Sequence, residues 1–164
     1  MLKKLNELDS GARYGAIALI CLICATVAFI FIQSMLSPTA SGAESGAVRR
    51  FLETFFSYDR PIGAFVLNNL RKIAHFAEYG ILGIEISLYV CLFADDRMRI
   101  APYTVILGHG VAFIDETIQI FSGRGPAILD VWIDTLGFIT LSALTYVSYF
   151  VIEGQIKKKE KENG

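Results

Sequence analysis

Long apolar stretches separated by short polar segments are the main pattern of this chain of 164 residues. Four stretches have this character: residues 14–36, 71–94, 101–121 and 127–152. Each has about the 20 residues that an α-helix needs to cross the hydrocarbon core of a bilayer. The pattern therefore predicts an all-α, polytopic integral membrane protein with four transmembrane helices.

A shorter pattern lies in the predicted outer loop, residues 37–70. Five apolar side chains recur there with the spacing of one helical face: Val48, Phe51, Leu52, Phe55 and Phe56. This spacing predicts a short interfacial amphipathic helix at about residues 47–58, between the first and second spans. The small polar residues before it predict a flexible linker.

Composition supports a membrane protein and excludes one class of partner. Hydrophobic residues make up 54% of the chain and charged residues 19%, which is unusual for a soluble domain. The net charge of −1, with no basic stripe, argues against nucleic acid as a partner. We expect membrane lipids as partners and one membrane domain, residues 14–152, between an N-terminal segment, 1–13, and a basic tail, 153–164.

The distribution of Lys and Arg predicts the orientation. Nine of the 15 precede the first span, follow the fourth, or lie in the short loop after residue 94, and with four spans these segments share one side. The positive-inside rule places that side in the cytoplasm, so both termini of this multi-pass cell-membrane protein are expected there. The first span is longer than the apolar core of a signal peptide, so we expect an uncleaved anchor.

Ionisable and polar residues are concentrated at one end of the predicted bundle. They are Arg71, Lys72, His75 and Glu78 in the second span, Asp115, Glu116 and Gln119 in the third, Arg124 in the following turn, and Asp130 and Asp134 in the fourth. A charge facing lipid costs about 2.5–3.5 kcal/mol at a helix centre. We therefore expect these groups to face one another across a polar pocket that opens outward, with a purely structural ion network as the alternative.

The residue types suggest candidate chemistry without fixing it. His75 with Glu78 or Glu116 has the composition of a general acid–base pair, and the cations can recognise phosphate or carboxylate. A second possibility is a divalent cation among Glu78, Glu116, Asp130 and Asp134. Carboxylates favour Mg²⁺, Ca²⁺ or Mn²⁺, and a single His disfavours zinc. No cofactor is required by the sequence.

Two segments, "LRKIAHFAEYGILG" and "DETIQIFSGRGPAILDVWIDTLG", resemble the signature of the VanZ-like membrane proteins. The motif positions are occupied by Lys72, His75, Glu78, Tyr79, Asp115, Glu116, Gln119, Arg124, Asp130 and Gly137. One position departs from the pattern, because Asp134 stands where the family usually has Asn. This difference adds a possible negative charge to the pocket.

The resemblance implies a role at the outer face of the cell envelope, since the family is named for a member that raises resistance to the lipoglycopeptide teicoplanin. We expect a non-catalytic pocket for a lipid-linked or lipidated ligand, with lower teicoplanin susceptibility as a consequence. The alternative is a membrane-embedded acid–base or divalent-metal enzyme acting on an envelope lipid intermediate. Solute transport is a third possibility, weakened by the lack of an internal repeat. The residues expected to line the ligand site are Arg71, Lys72, Tyr79, Asp115, Gln119, Arg124, Asp130 and Asp134.

Overall fold

A computed structural model describes residues 8–36, 38–123 and 128–163, and in these ranges it contains six α-helices and no β-strand. The helices are α1 (Ser10–Met35), α2 (Pro38–Leu52), α3 (Pro61–Asn68), α4 (Leu70–Phe93), α5 (Arg97–Phe121) and α6 (Ile128–Asn163). Of the described helices, four are long and apolar enough to cross a membrane: α1, α4, α5 and α6. The predicted all-α fold with four membrane spans and a short helix after the first is confirmed.

Helices α4 and α6 run parallel and pack closely. The contact of Phe76 with Gly137 is followed, further along both helices, by a hydrogen bond of 3.2 Å from Ser142 Oγ to the Gly83 carbonyl. A Cβ atom added to Gly137 would lie only 2.3 Å from the carbonyl oxygen of Phe76. Glycine at such a position lets two membrane helices approach backbone to backbone.

Helices α1 and α5 run in the opposite direction to α4 and α6. Arg97, at the start of α5, bonds Glu153 near the end of α6, while His109 bonds Thr135 near the other end. The end at which α1 and α5 finish and α4 and α6 begin is called the site end below. Leu70, Phe121 and Ile128, the terminal residues of three helices, therefore belong to one end of the bundle.

The core between the four long helices is small and contains aromatic side chains. Tyr79 of α4 and Phe138 of α6 are fully buried, and they pack with Ile30 of α1 and Ala112 of α5. Most other large apolar side chains of the long helices face outward, as in α1, where Ile32 is 61% exposed. An apolar outer surface around a compact core is what a lipid-embedded bundle requires.

The region between α1 and α4 differs in detail from the sequence prediction. The amphipathic helix was expected at about 47–58, whereas α2 starts at Pro38 and ends at Leu52. Proline favours the first turn of a helix, and α2 therefore includes the small residues expected to form a flexible linker. Phe55 and Phe56 follow the helix in a turn, in which both backbone N–H groups donate to the Leu52 carbonyl.

Two further helical segments were not predicted. α3 begins at Pro61, directly after the turn, and leads into α4 through Asn69. α6 continues well past residue 152 through the basic tail. Pairs of opposite charge one turn apart support this extension: Glu153 with Lys157 at 3.1 Å and Lys158 with Glu162 at 3.9 Å.

Candidate functional site

All four long helices contribute polar side chains to one cluster at the site end. They are Ser34 of α1, Arg71 and His75 of α4, Asp115 and Gln119 of α5, and Asp134 of α6. His75, Asp115 and Asp134 each lie five or six residues from a helix terminus at this end. At 1.5 Å per residue, this places the three at a similar depth, about 7–9 Å inside the helix ends.

His75 is the centre of the cluster. Its Nδ1 atom lies 3.3 Å from Asp134 Oδ1 and 4.0 Å from Asp115 Oδ2. Among the described residues, Asp115 and Asp134 are the two whose carboxylates come within 4.0 Å of this imidazole. Both carboxylates are fully buried, whereas the His75 side chain is 12% exposed. The imidazole therefore lies between a buried acidic pair and the surface.

Asp115 accepts hydrogen bonds from one residue of α1 and one residue of its own helix. Ser34 Oγ donates a hydrogen bond to Asp115 Oδ1, and Gln119 Nε2 donates to Oδ2 at 3.3 Å. Arg71 Nη2 in turn donates to Gln119 Oε1 at 2.6 Å. This chain of hydrogen bonds from Arg71 to Ser34 fixes the orientation of the Asp115 carboxylate. Ser122 supports Ser34 by donating to its carbonyl oxygen at 2.8 Å.

Asp134 differs from Asp115 in its surroundings. It is fully buried, and neither of its carboxylate oxygens has a hydrogen-bond partner within the described parts of the chain. The Nδ1 atom of His75, although only 3.3 Å away, does not have the alignment of a hydrogen bond to it. Leaving a buried carboxylate without partners is costly, so this group requires an explanation.

A cavity of about 430 Å³ opens beside the cluster, between α1, α2 and α4. Its apolar wall is formed by Phe29, Ile30, Ala47, Val48, Leu70 and Ala74. Its polar lining residues are Gln33, Ser34, Ser45, Arg71, His75 and Glu78. The volume lies within the range of ligand pockets in proteins. His75 therefore lines the cavity and also lies next to the buried carboxylates.

A second, smaller cavity lies on the other side of Arg71. It has a volume of about 310 Å³ and is lined by Asn68, Asn69, Arg71, Lys72, Leu129 and Asp130. Lys72 and Asp130, both expected at the ligand site, thus line a neighbouring cavity and not the larger one. Arg71 lines both cavities.

The remaining predicted site residues lie in different parts of the bundle. Tyr79 is fully buried in the core, and Glu78 lines the larger cavity. Glu116, expected to pair with His75, is buried. The carboxylate that lies beside His75 belongs instead to Asp115, which points about 100° away from Glu116 around α5. Arg124 lies outside the described residues.

Sequence reasoning missed the contributions of α1 and α2. Ser34 donates to Asp115, and Gln33 and Ser34 line the larger cavity. These two adjacent polar residues near the end of an otherwise apolar stretch were the available signal. The part of α2 that closes the cavity, Ser45 to Val48, lies at the edge of the predicted amphipathic helix.

Comparison with known proteins identifies the family. A family model described as VanZ/LLP1 matches residues 17–150, which include all of α4 and α5 and most of α1 and α6. The chain therefore belongs to the VanZ/LLP1 family, as the motifs predicted. No curated protein and no solved structure matches it.

Proposed function

We propose that this VanZ-family membrane protein acts at the cell envelope by binding a lipid-linked or lipidated anionic ligand in the larger cavity. One observation carries the proposal: the lining of the cavity combines apolar side chains with the guanidinium of Arg71. An acyl or prenyl chain would lie against Phe29 and Val48, and its phosphate or carboxylate would meet the guanidinium. The hydrogen bond to Gln119 uses one of the five N–H donors of Arg71.

The position of the cavity supports a ligand that enters from the membrane surface. α2 forms one wall, and Phe51, beside Val48 on this helix, is 64% exposed. Exposed aromatic side chains on an amphipathic helix favour the interface between headgroups and acyl chains. We infer that the site end lies at the outer face, because the distribution of Lys and Arg favours a cytoplasmic position for both termini.

Lipid binding by the purified protein tests this proposal. Phosphatidylglycerol and phosphatidylcholine with identical acyl chains would be compared by native mass spectrometry in detergent containing EDTA. We expect preferential retention of phosphatidylglycerol, and loss of that preference in Arg71→Gln. Arg99→Gln, at the opposite end of the bundle, is the matched control. Equal retention of both lipids, or no difference between Arg71→Gln and the control, would contradict the proposal.

A cellular test concerns the consequence for drug susceptibility. In a teicoplanin-sensitive Gram-positive host, we expect the wild-type protein to raise the inhibitory concentration of teicoplanin more than that of vancomycin, which lacks the lipid chain. Arg71→Gln and His75→Gln should lose this protection at matched membrane levels, and Arg99→Gln should keep it. Wild-type protein that gives no protection would restrict the proposal to lipid binding alone.

Membrane-embedded acid–base catalysis is a second candidate, favoured by the contact between His75 and Asp134. His75 lines the cavity and has the Asp134 carboxylate 3.3 Å from its imidazole, so a histidine that can act as a general base lies next to an acidic group. Release of inorganic phosphate from phosphatidic acid would support this candidate if His75→Gln abolished it. Retention of intact phosphatidic acid without turnover would favour binding alone.

A further inference from the structure

We propose that His75, Asp115 and Asp134 bind one divalent transition-metal cation beside the larger cavity. This inference does not depend on the lipid-binding proposal, because two of its three residues are buried behind the cavity wall. One atom from each residue forms a group whose members all lie within 4.8 Å of one another. The three residues come from three different helices, so the fold and not local sequence brings them together.

The distances fit ligands of one ion. Metal–ligand bonds of about 2.0–2.2 Å at tetrahedral or octahedral angles place neighbouring ligand atoms about 2.8–3.6 Å apart. The 3.3 Å between His75 Nδ1 and Asp134 Oδ1 falls in this range. The 4.0 Å between His75 Nδ1 and Asp115 Oδ2 requires only a small inward movement of one side chain.

Asp134 provides the second, independent observation. Its carboxylate is fully buried, and both oxygens lack a hydrogen-bond partner among the described residues. The Nδ1 atom of His75 is likewise buried and lacks such a partner in the same part of the chain. Two neighbouring acceptors without an aligned hydrogen bond between them are what a shared cation requires of its ligands.

The surroundings of Asp115 resemble the outer shell of a metal site. Ser34 and Gln119 donate hydrogen bonds to this carboxylate, and Arg71 holds Gln119. Such partners orient a ligating carboxylate, and their loss commonly weakens metal binding about 10–100-fold. Hydrogen bonds therefore orient the Asp115 carboxylate before an ion binds, whereas the oxygens of Asp134 are available to coordinate it.

The ligand chemistry selects the class of ion. Two ionised carboxylates balance the charge of a divalent cation, so the complex with a neutral imidazole carries no net charge in a buried site. Imidazole nitrogen favours transition metals over Mg²⁺ and Ca²⁺, and carboxylate oxygen is well accepted by Mn²⁺. We therefore expect Mn²⁺ to bind more tightly than Mg²⁺ or Ca²⁺. This set differs from the carboxylates considered from sequence, which excluded His75.

Binding of Mn²⁺ to the full chain, purified in detergent and freed of metal with EDTA, tests the inference without added lipid. Titration followed by the electron paramagnetic resonance signal of free Mn²⁺ should give one saturable site per chain. Asp134→Asn and His75→Gln should each weaken binding at least about tenfold. Glu85→Gln, which changes another buried carboxyl group of α4, is the control and should bind normally. Absence of a saturable site in the wild-type protein, or normal binding by Asp134→Asn and His75→Gln, would overturn the inference.

A spectroscopic measurement covers the case in which a variant fails to fold. The chain has two histidines, so ¹⁴N couplings in the electron spin echo spectrum of bound Mn²⁺ report one of two residues. We expect a nitrogen coupling in the wild-type protein that persists in His109→Gln, since His109 bonds Thr135 and is not part of the cluster. Bound Mn²⁺ without any nitrogen coupling, or a coupling lost in His109→Gln, would show that the ion lies elsewhere. Lipid retention is measured in EDTA, so failure of either proposal leaves the other testable.

Discussion

His75 Nδ1 lies 3.3 Å from Asp134 Oδ1, and this contact joins α4 to α6 beside the close approach of Phe76 to Gly137. The residue after His75 is Phe76, whose carbonyl oxygen faces Gly137, one turn beyond Asp134. The missing side chain of Gly137 therefore allows the two helices to approach closely beside the cluster. The distance between His75 and Asp134 thus depends on the backbone contact of Phe76 with Gly137, although neither of these residues has a reactive side chain.

Gly137→Ala should destabilise the protein and separate His75 from Asp134. The new Cβ atom would lie 2.3 Å from the Phe76 carbonyl oxygen, and backbone cannot move aside as a flexible side chain can. We expect a loss of about 1–3 kcal/mol, the usual cost of overpacking a core. Thermal unfolding in detergent measures it.

Gly110→Ala is the matched control for that substitution. Gly110 lies inside α5, and a Cβ atom there meets nothing within 4 Å. Because alanine is favoured over glycine in a helix by about 1 kcal/mol, this variant should be as stable as wild type or more so. Equal melting temperatures for the two variants would show that α4 and α6 are not closely packed at Gly137.

Thr26→Val should lower stability through a buried carboxyl group in another part of the bundle. Thr26 Oγ1 donates a hydrogen bond of 2.9 Å to Glu85 Oε1, linking α1 to α4, and Glu85 is only 5% exposed. Removing the donor leaves a buried polar group unsatisfied, at a cost of about 1–3 kcal/mol. Thr145→Val is the control, since the Thr145 hydroxyl donates to the Leu141 carbonyl of its own helix. Chemical denaturation should show a larger loss of stability for Thr26→Val than for Thr145→Val. A smaller loss of stability in Thr26→Val than in the control would argue against the α1–α4 contact.

Gln119→Leu should disconnect Arg71 from Asp115. The amide accepts from Arg71 at 2.6 Å and donates to Asp115 at 3.3 Å, and leucine has a similar volume but neither function. We expect a stability loss of about 1–3 kcal/mol and weaker retention of phosphatidylglycerol, because Arg71 is no longer oriented. Thr117→Val, which affects a hydroxyl bonded within α5, should change neither property. Unchanged lipid preference in Gln119→Leu would mean that Arg71 reaches the ligand without help from the amide.

The sequence was sufficient for the spans and for the end of the bundle that carries the polar residues. The spans follow from length and hydropathy, and common depth follows from the fixed rise of a helix, so His75, Asp115 and Asp134 could be placed near one another. Which carboxylate of the adjacent pair would face His75 could not be predicted. Asp115 and Glu116 differ by about 100° in direction, and the rotation of α5 is set by packing against α1 and α6.

The contribution of α1 and α2 to the cavity also required the structure. The apolar periodicity of Val48 and Phe51 predicted a helix but not its start, because the preceding small residues are compatible with either helix or linker. Serine residues near helix ends are common, so nothing in the sequence was a reason to single out Ser34. The packing of α1 against α5 brings its hydroxyl to Asp115. Tertiary packing, not local propensity, decides where α2 starts and which residue Ser34 contacts.

Ala74→Phe should obstruct the larger cavity without altering its charges. Ala74 lies between Arg71 and His75 along α4 and lines the apolar wall, so an aromatic ring there would occupy the space proposed for a lipid chain. We expect phosphatidylglycerol retention to fall while Mn²⁺ binding by the buried cluster persists, since Asp115 and Asp134 lie behind that wall. Ala143→Phe, at an exposed position of α6, is the control for adding an aromatic side chain. Native mass spectrometry and the Mn²⁺ titration on the same preparations separate the two effects. Wild-type lipid retention in Ala74→Phe would show that the lipid binds outside this cavity, and loss of both ligands would show that the wall and the cluster behave as one structural unit.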